Sequence, residues 1–176
     1  MASSMSATTK LIAQLRATMT RTVESVEVRG ELDHKVELAL SNGIGASKAN
    51  LVVEKSGTIA ASASTNIDLA GSLTDIFGMT VTLAKIKGLI VENTSDDLST
   101  PTDAILHVGA GATPFLGPIV AATDKVEVEA GGFVAFGTKS EDGWPVAAGA
   151  SDILMITNID GVDQAQYRVT VVGEAA

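Results

Sequence analysis

The chain of 176 residues contains no cysteine, and that one absence removes disulfides, thiolate metal sites and cysteine nucleophiles together. Aromatic residues make up only 3%, with one Trp, one Tyr and four Phe. The core must therefore be filled by Val, Ile, Leu and Ala, a composition that favours strands. There are two histidines, His34 and His107, and no G-x-S-x-G motif, so no nucleophile has an evident base and the enzyme class ranks last. No 18-residue apolar run is present. Residues 1–9 are polar, and Leu11-Ile12 is followed at once by Gln14 and Arg16. Neither a membrane span nor a signal peptide is expected, and the reading is a soluble protein made in a cytoplasm.

Positive charge is also scarce: 12 Lys and Arg stand against 21 Asp and Glu, a formal net charge of −9. Its placement is uneven, because Lys10, Arg16 and Arg21 precede the first acid, Glu24. An acidic body lacks the clustered basic face that phosphate contact needs, so nucleic acid is excluded as a partner.

The length suits one domain with a core plus an appendage. Residues 1–22 are expected to form that appendage. A polar lead is followed by Leu11, Leu15 and Met19 at four-residue spacing with Ile12 beside them, a pattern that predicts a helical or extended arm. Thr8 or Thr9 is placed to cap a helix there. From residue 23 onward the apolar period is two, and residues 23–176 are expected to form a β-sandwich. Val26 and Val28 are followed by Gly30-Glu31 as a predicted turn, and Leu32, His34, Val36, Leu38 and Leu40 then alternate with polar residues. His34 falls on the apolar parity and is expected in a core or interface. The stretch 126–158 is the centre of the domain. It reads as a strand in Val126, Val128 and Ala130, a Gly131-Gly132 hairpin turn, a strand through Phe136, a loop with Trp144-Pro145, and an apolar strand through Asn158. Leu73, Ile76 and Phe77 are expected to plug the core from a short helical turn or a bulged crossover. In the long strand candidate 79–92 the apolar parity shifts around residues 85–88, which predicts a β-bulge or a strand passing from the edge of one sheet to its centre.

Three loops invite a chemical reading and are better explained as turns. The Gly-rich loop 41–48 leads into another strand rather than a helix, so it is not a phosphate cradle. Asp96-Asp97 and Asp103 lack calcium-loop spacing, and Asn158, Asp160 and Asp163 lack the distal Glu. No metal or cofactor is expected. About ten short strands separated by turn signals, with little helix beyond the first twenty residues, give an all-β fold: a jelly-roll-like antiparallel β-sandwich with an N-terminal arm.

The order AGG, a short apolar strand, DGWPVAAG, SDILMITN and DGVDQAQYRVTVVG, together with residues 67–78 and 85–93 upstream, resembles virion structural proteins of tailed bacteriophages. It is most similar to the small β-sandwich proteins that decorate or cement capsids, usually as trimers. The resemblance covers roughly the last two thirds of the chain, in turn and core patterns without a chemical signature. It implies a homotrimer on the outer surface of a phage head, with the major capsid protein as partner. The arm would supply the capsid or inter-subunit contact through Lys10, Leu11, Ile12, Leu15, Arg16, Met19 and Arg21. The alternative is a tail or baseplate module that binds a host glycan.

Overall fold

The computed structural model describes residues 8–23, 26–71, 73–97 and 102–176. The polar lead 1–7 and the loop positions 98–101 lie outside them. The chain forms β1 (Thr9–Val23), β2 (Val26–Asn42), β3 (Lys48–Ala49), β4 (Leu51–Ile59), β5 (Ser64–Asp68), β6 (Leu73–Thr74) and β7 (Thr80–Val81). It continues with β8 (Leu83–Asn93), β9 (Leu106–Gly109), β10 (Lys125–Val128), β11 (Phe133–Gly137), β12 (Trp144–Pro145), β13 (Ile153–Asn158) and β14 (Ala165–Ala175). Among the described residues the only helical segment is a 3-10 turn, Ser95–Asp97.

Two antiparallel sheets make the body. One has the order β11-β8-β14-β4, with β12 continuing alongside β8, and the other has the order β10-β9-β13-β5. Taken in chain order as β4, β5, β8, β9, β10, β11, β13 and β14, the eight main strands pair as first with eighth, second with seventh, third with sixth and fourth with fifth. That nested pairing is a hairpin of hairpins rolled into two layers, which is the jelly roll. The all-β sandwich expected from the period-two patterning is what the chain forms.

The core lies between the sheets. Leu51, Val53, Leu89, Val91, Val169 and Val171 come from one layer and Ile67, Leu106, Val108, Leu154 and Ile156 from the other, all essentially buried. Phe115 and Tyr167 are the aromatic side chains fully inside it. On β13 buried and half-buried positions alternate, so no residue of this apolar strand is exposed, as the sequence predicts.

Two local expectations are corrected. The Gly131-Gly132 turn does not join neighbouring strands: β10 pairs with β9, β11 pairs with β8, and the turn carries the chain from one sheet to the other. Gly131 has φ 70°, and a Cβ there would lie 2.7 Å from Asp96 Oδ2. Its backbone N–H donates to Asn93 and Gly132 N–H donates to Glu129, so the corner is closed by its own amides. Of the predicted core plug only Leu73 is buried. Asp75 Oδ1 accepts the amides of Phe77 and Met79, and the turn so formed between β6 and β7 leaves Ile76 and Phe77 exposed.

The predicted bulge is found in β8. Gly88 pairs with Val172 and Ile86 with Gly173, which leaves Lys87 without a partner across the ladder. The strands approach so closely that a Cβ on Gly173 would meet the Lys85 carbonyl at 2.2 Å. Lys87 is 0% exposed and Glu174 2%. Lys87 Nζ lies 3.1 Å from Glu174 Oε1 and donates to the carbonyls of Ser140, Glu141 and Gly45, while Glu174 Oε1 also accepts the Gly45 amide. One buried ion pair thus holds the turn after β2 and the loop 138–143 onto the sheet. Replacing Lys87 by Met strands a buried carboxylate and is expected to cost about 3–5 kcal/mol of stability. The double variant Lys87→Met with Glu174→Leu is expected to recover much of that in denaturant unfolding followed by Trp144 fluorescence. Equal losses in the two variants would show that charge burial is not the cause.

Candidate functional site: the amphipathic ribbon

β1 is a strand, not a helix, and it pairs with β2 in one antiparallel ribbon from Thr9↔Leu40 to Val23↔Val26. The four-residue spacing of Leu11, Leu15 and Met19 is an even number, so it places the three side chains on one face of a strand as readily as on one stripe of a helix. Thr9, Thr18, Thr20 and Thr22 settle the matter, since β-branched residues lose rotamer freedom in a helix and fit a pleated ladder. β2 runs straight through the predicted Gly30-Glu31 turn, because the longer ladder with β1 is available: Gly30 pairs with Met19 and Glu31 with Thr18.

Directly opposed residues share a face. The register places Leu11/Leu38, Ala13/Val36, Leu15/His34, Ala17/Leu32, Met19/Gly30 and Arg21/Val28 on one face. The other face carries Lys10, Gln14, Arg16, Thr18 and Thr20 opposite residues Ala39, Lys35, Asp33, Glu31 and Arg29, with Ile12 opposite Glu37. The polar face is neutralised within itself. Lys10 Nζ lies 2.8 Å from Glu37, Lys35 3.0 Å from the same carboxylate, Arg16 3.2 Å from Asp33 and Arg29 3.1 Å from Glu31, and Gln14 donates to Asp33. Residues 8–42 hold five basic and five acidic side chains, so the ribbon contributes nothing to the net −9 and the rest of the chain carries all of it.

The foot of the ribbon is seated and the remainder is not. Leu40 packs with Ala49 and Val172, flanked by Leu38 and Val52. A Cβ on Gly137, at the edge strand β11, would meet Leu38 at 2.7 Å and Leu11 at 3.3 Å, so the two leucines rest on a glycine. Beyond that point a groove of about 310 Å³ opens between Leu11, Ala13, Val36 and Leu38 and the β11 edge at Ala135 and Gly137. Farther out the apolar face is bare: Leu15 is 61% exposed, Met19 75%, Val28 55%, Leu32 54% and Val36 56%.

Of the seven arm residues that sequence reasoning named, Leu11, Leu15 and Met19 lie on the apolar face with Arg21 towards its end. Lys10, Ile12 and Arg16 lie on the polar face. The half of the site contributed by β2 (Val28, Leu32, His34, Val36 and Leu38) was assigned to the sandwich by its alternation alone. That alternation is the signal for the face, but nothing in it says whether a partner sheet lies opposite. His34 is exposed on the apolar face, and His107 lies on β9, 3.2 Å from Glu127 across the ladder.

The structure also brings Asp103 to Asp160 and Asp163, with carboxylate oxygens within 4.8 Å of one another. Chain separation hides that proximity. Asp160 Oδ1 accepts the amides of Val162 and Asp163, the bonds that close the turn and hold its pKa below the ordinary aspartate value. Three carboxylates are half or fewer of the six to eight oxygens that calcium takes. A chelator is expected to leave the melting temperature unchanged, and a drop of several degrees reversed by calcium would assign the cluster to a metal.

Neither a protein-family profile, a curated protein nor a solved structure matches this chain.

Glu37 is held below its ordinary pKa by hydrogen bonds from Lys10 and then Lys35. A lowered folded value means that the ion pairs support the ribbon at neutral pH, and that this support is lost as pH falls through the folded midpoint. The Glu37 carboxyl resonance is expected to titrate below the free-glutamate value of about 4.3. Lys10→Met should move its midpoint upward; no movement would mean that the pairs are not formed in solution.

Proposed function

We propose that this protein is a structural virion component: a decoration, or cement, protein that binds the outer surface of a tailed-phage head as a homotrimer, with the major capsid protein as its shell partner. The observation that carries this reading is the ribbon, which leaves the sandwich and holds out an apolar face that none of the described residues covers. Exposed apolar surface of that extent marks a protein contact. The jelly roll recurs in viral capsid domains, and the turn and core motifs resemble those of decoration proteins. An acidic body with a charge-neutral ribbon offers no clustered basic face for nucleic acid.

A tail or baseplate module binding a host glycan is the second reading, since lectin domains also use the jelly roll. Sugar sites present exposed aromatics together, whereas here the two strongly exposed ones stand apart. Phe133 lies on the β11 edge and Phe77 on the turn next to β4, at the opposite edge of the sheet. The remaining aromatics are in or against the core. The reading of a protein without enzymatic activity rests on the lack of any nucleophile and base pair in the sequence.

An antiserum raised against the purified protein, applied to virions from the host that carries its gene, tests the proposal by immunogold microscopy. Label over the head surface is expected. Label confined to the tail supports the glycan-binding reading, and no label on any virion contradicts both.

A further inference from the structure

The ribbon's bare face requires an occupant, and three observations select one. The first is chemistry. Every acidic side chain on the polar face from Glu31 to Glu37 is already ion-paired within the ribbon, so that face calls for no charged partner. The unpaired requirement lies on the opposite face, where Leu15, Met19, Val28, Leu32 and Val36 ask for apolar cover.

The second is charge. The ribbon is net neutral, whereas the rest of the chain carries −9. Two bodies repel each other, but two ribbons do not. The ribbon's fifteen-residue strand β1 spans about 45–50 Å, several times the Debye length of about 8 Å at physiological salt. Its outer part therefore meets its match beyond the field of its own body.

The third is area. A two-stranded face about 45 Å long and 10 Å wide has a footprint on the order of 450 Å². Two such faces closed on each other bury on the order of 900 Å², and three closed around an axis on the order of 1,350 Å² shared among three contacts, so a ribbon contact adds to other contacts between copies and area alone does not set their number. A lone two-stranded hairpin is marginal in water, and a three-sided prism with its apolar faces inward removes that weakness while leaving each polar face in solvent.

We infer that the apolar face of β1–β2 is covered by the same face of two further copies, so that three ribbons form a stalk on a three-fold axis. This names the self-contact of the proposed trimer and rests on that reading for the number of copies. Attachment to the shell then falls to other surfaces or to the outside of the stalk, rather than to the leucines and Met19.

The full chain tests this directly. Light scattering at micromolar concentration is expected to give about three times the 17.9 kDa chain mass. Leu15→Ser with Leu32→Ser should give a 17.9 kDa species whose body still melts as before, read from Trp144, because neither leucine belongs to the body core. Thr18→Ser with Thr20→Ser on the polar face should remain trimeric. Because the chain has no cysteine, Met19→Cys provides an independent readout: a bismaleimide should link copies through Met19→Cys and not through Thr18→Cys on the opposite face. A monomeric wild type, a double Leu variant that stays trimeric, or equal linking from both faces would overturn the inference. Head labelling of virions alongside any of these would leave the virion role standing without the stalk. A stalk without virion labelling would do the reverse.

Discussion

The buried pair of Lys87 and Glu174 ties four segments together: the paired strands β8 and β14, the turn after β2 and the loop between β11 and β12. The bulge in β8 frees Lys87 from the ladder, the irregular pairing of β14 sets Glu174 beside it, and Gly45, just after β2, is bound to both partners. The same ammonium closes the loop between β11 and β12 through Ser140 and Glu141. A charge taken out of water is tolerated only when its hydrogen-bonding capacity is filled, and here the carbonyls that fill it belong to the loops that set the foot of the ribbon. Ser47 donates to Lys139 across the same junction. The direction in which the ribbon leaves the sandwich is thus set by this buried contact together with the Leu40 packing and the pairing of β2 with β3.

Above that foot the ribbon has no support from its own chain. The eight strands of the jelly roll below pair off in nested order, and none of the described ribbon side chains enters the main core. Only at its foot, through Leu40, does the described ribbon join buried packing, and one apolar face stays exposed beyond it. Pleat geometry then divides its roles cleanly. The polar face holds the ion pairs Lys10–Glu37, Arg16–Asp33 and Arg29–Glu31, and the apolar face is the one assigned to the proposed contact. The proposed structural role in a virion shell and the proposed three-fold stalk both draw on this division.

Much of the sandwich was legible in the sequence because period-two patterning and turn residues are local signals. The bulge near Lys87 was visible as a shift of apolar parity, and the apolar strand through Ile156 as a run too apolar for solvent. What failed was whatever depended on which strand lies beside which. Gly131-Gly132 has the chemistry of a tight hairpin, and only the sheet order reveals it as a corner between layers. The spacing of Leu11, Leu15 and Met19 fits both periods, and only the threonines around them and the β2 partner mark the arm as strand. His34, Val36 and Leu38 alternate just as core strand residues do, because a ribbon awaiting a partner and a strand already covered obey the same parity. The approach of Asp103 to Asp160 and Asp163 joins positions far apart in the chain, and no spacing rule reports it.

In the proposed stalk the outer ribbon owes its order to contact between copies, while the jelly roll stands alone. Native-state hydrogen exchange across a protein dilution series tests it most directly, since local opening is read strand by strand. Amides of β1 and β2 between residues 12 and 36 are expected to lose protection on dilution, while those of β4 and β14 keep theirs. Ribbon amides that stay fully protected at concentrations where the chain is a single copy would contradict it.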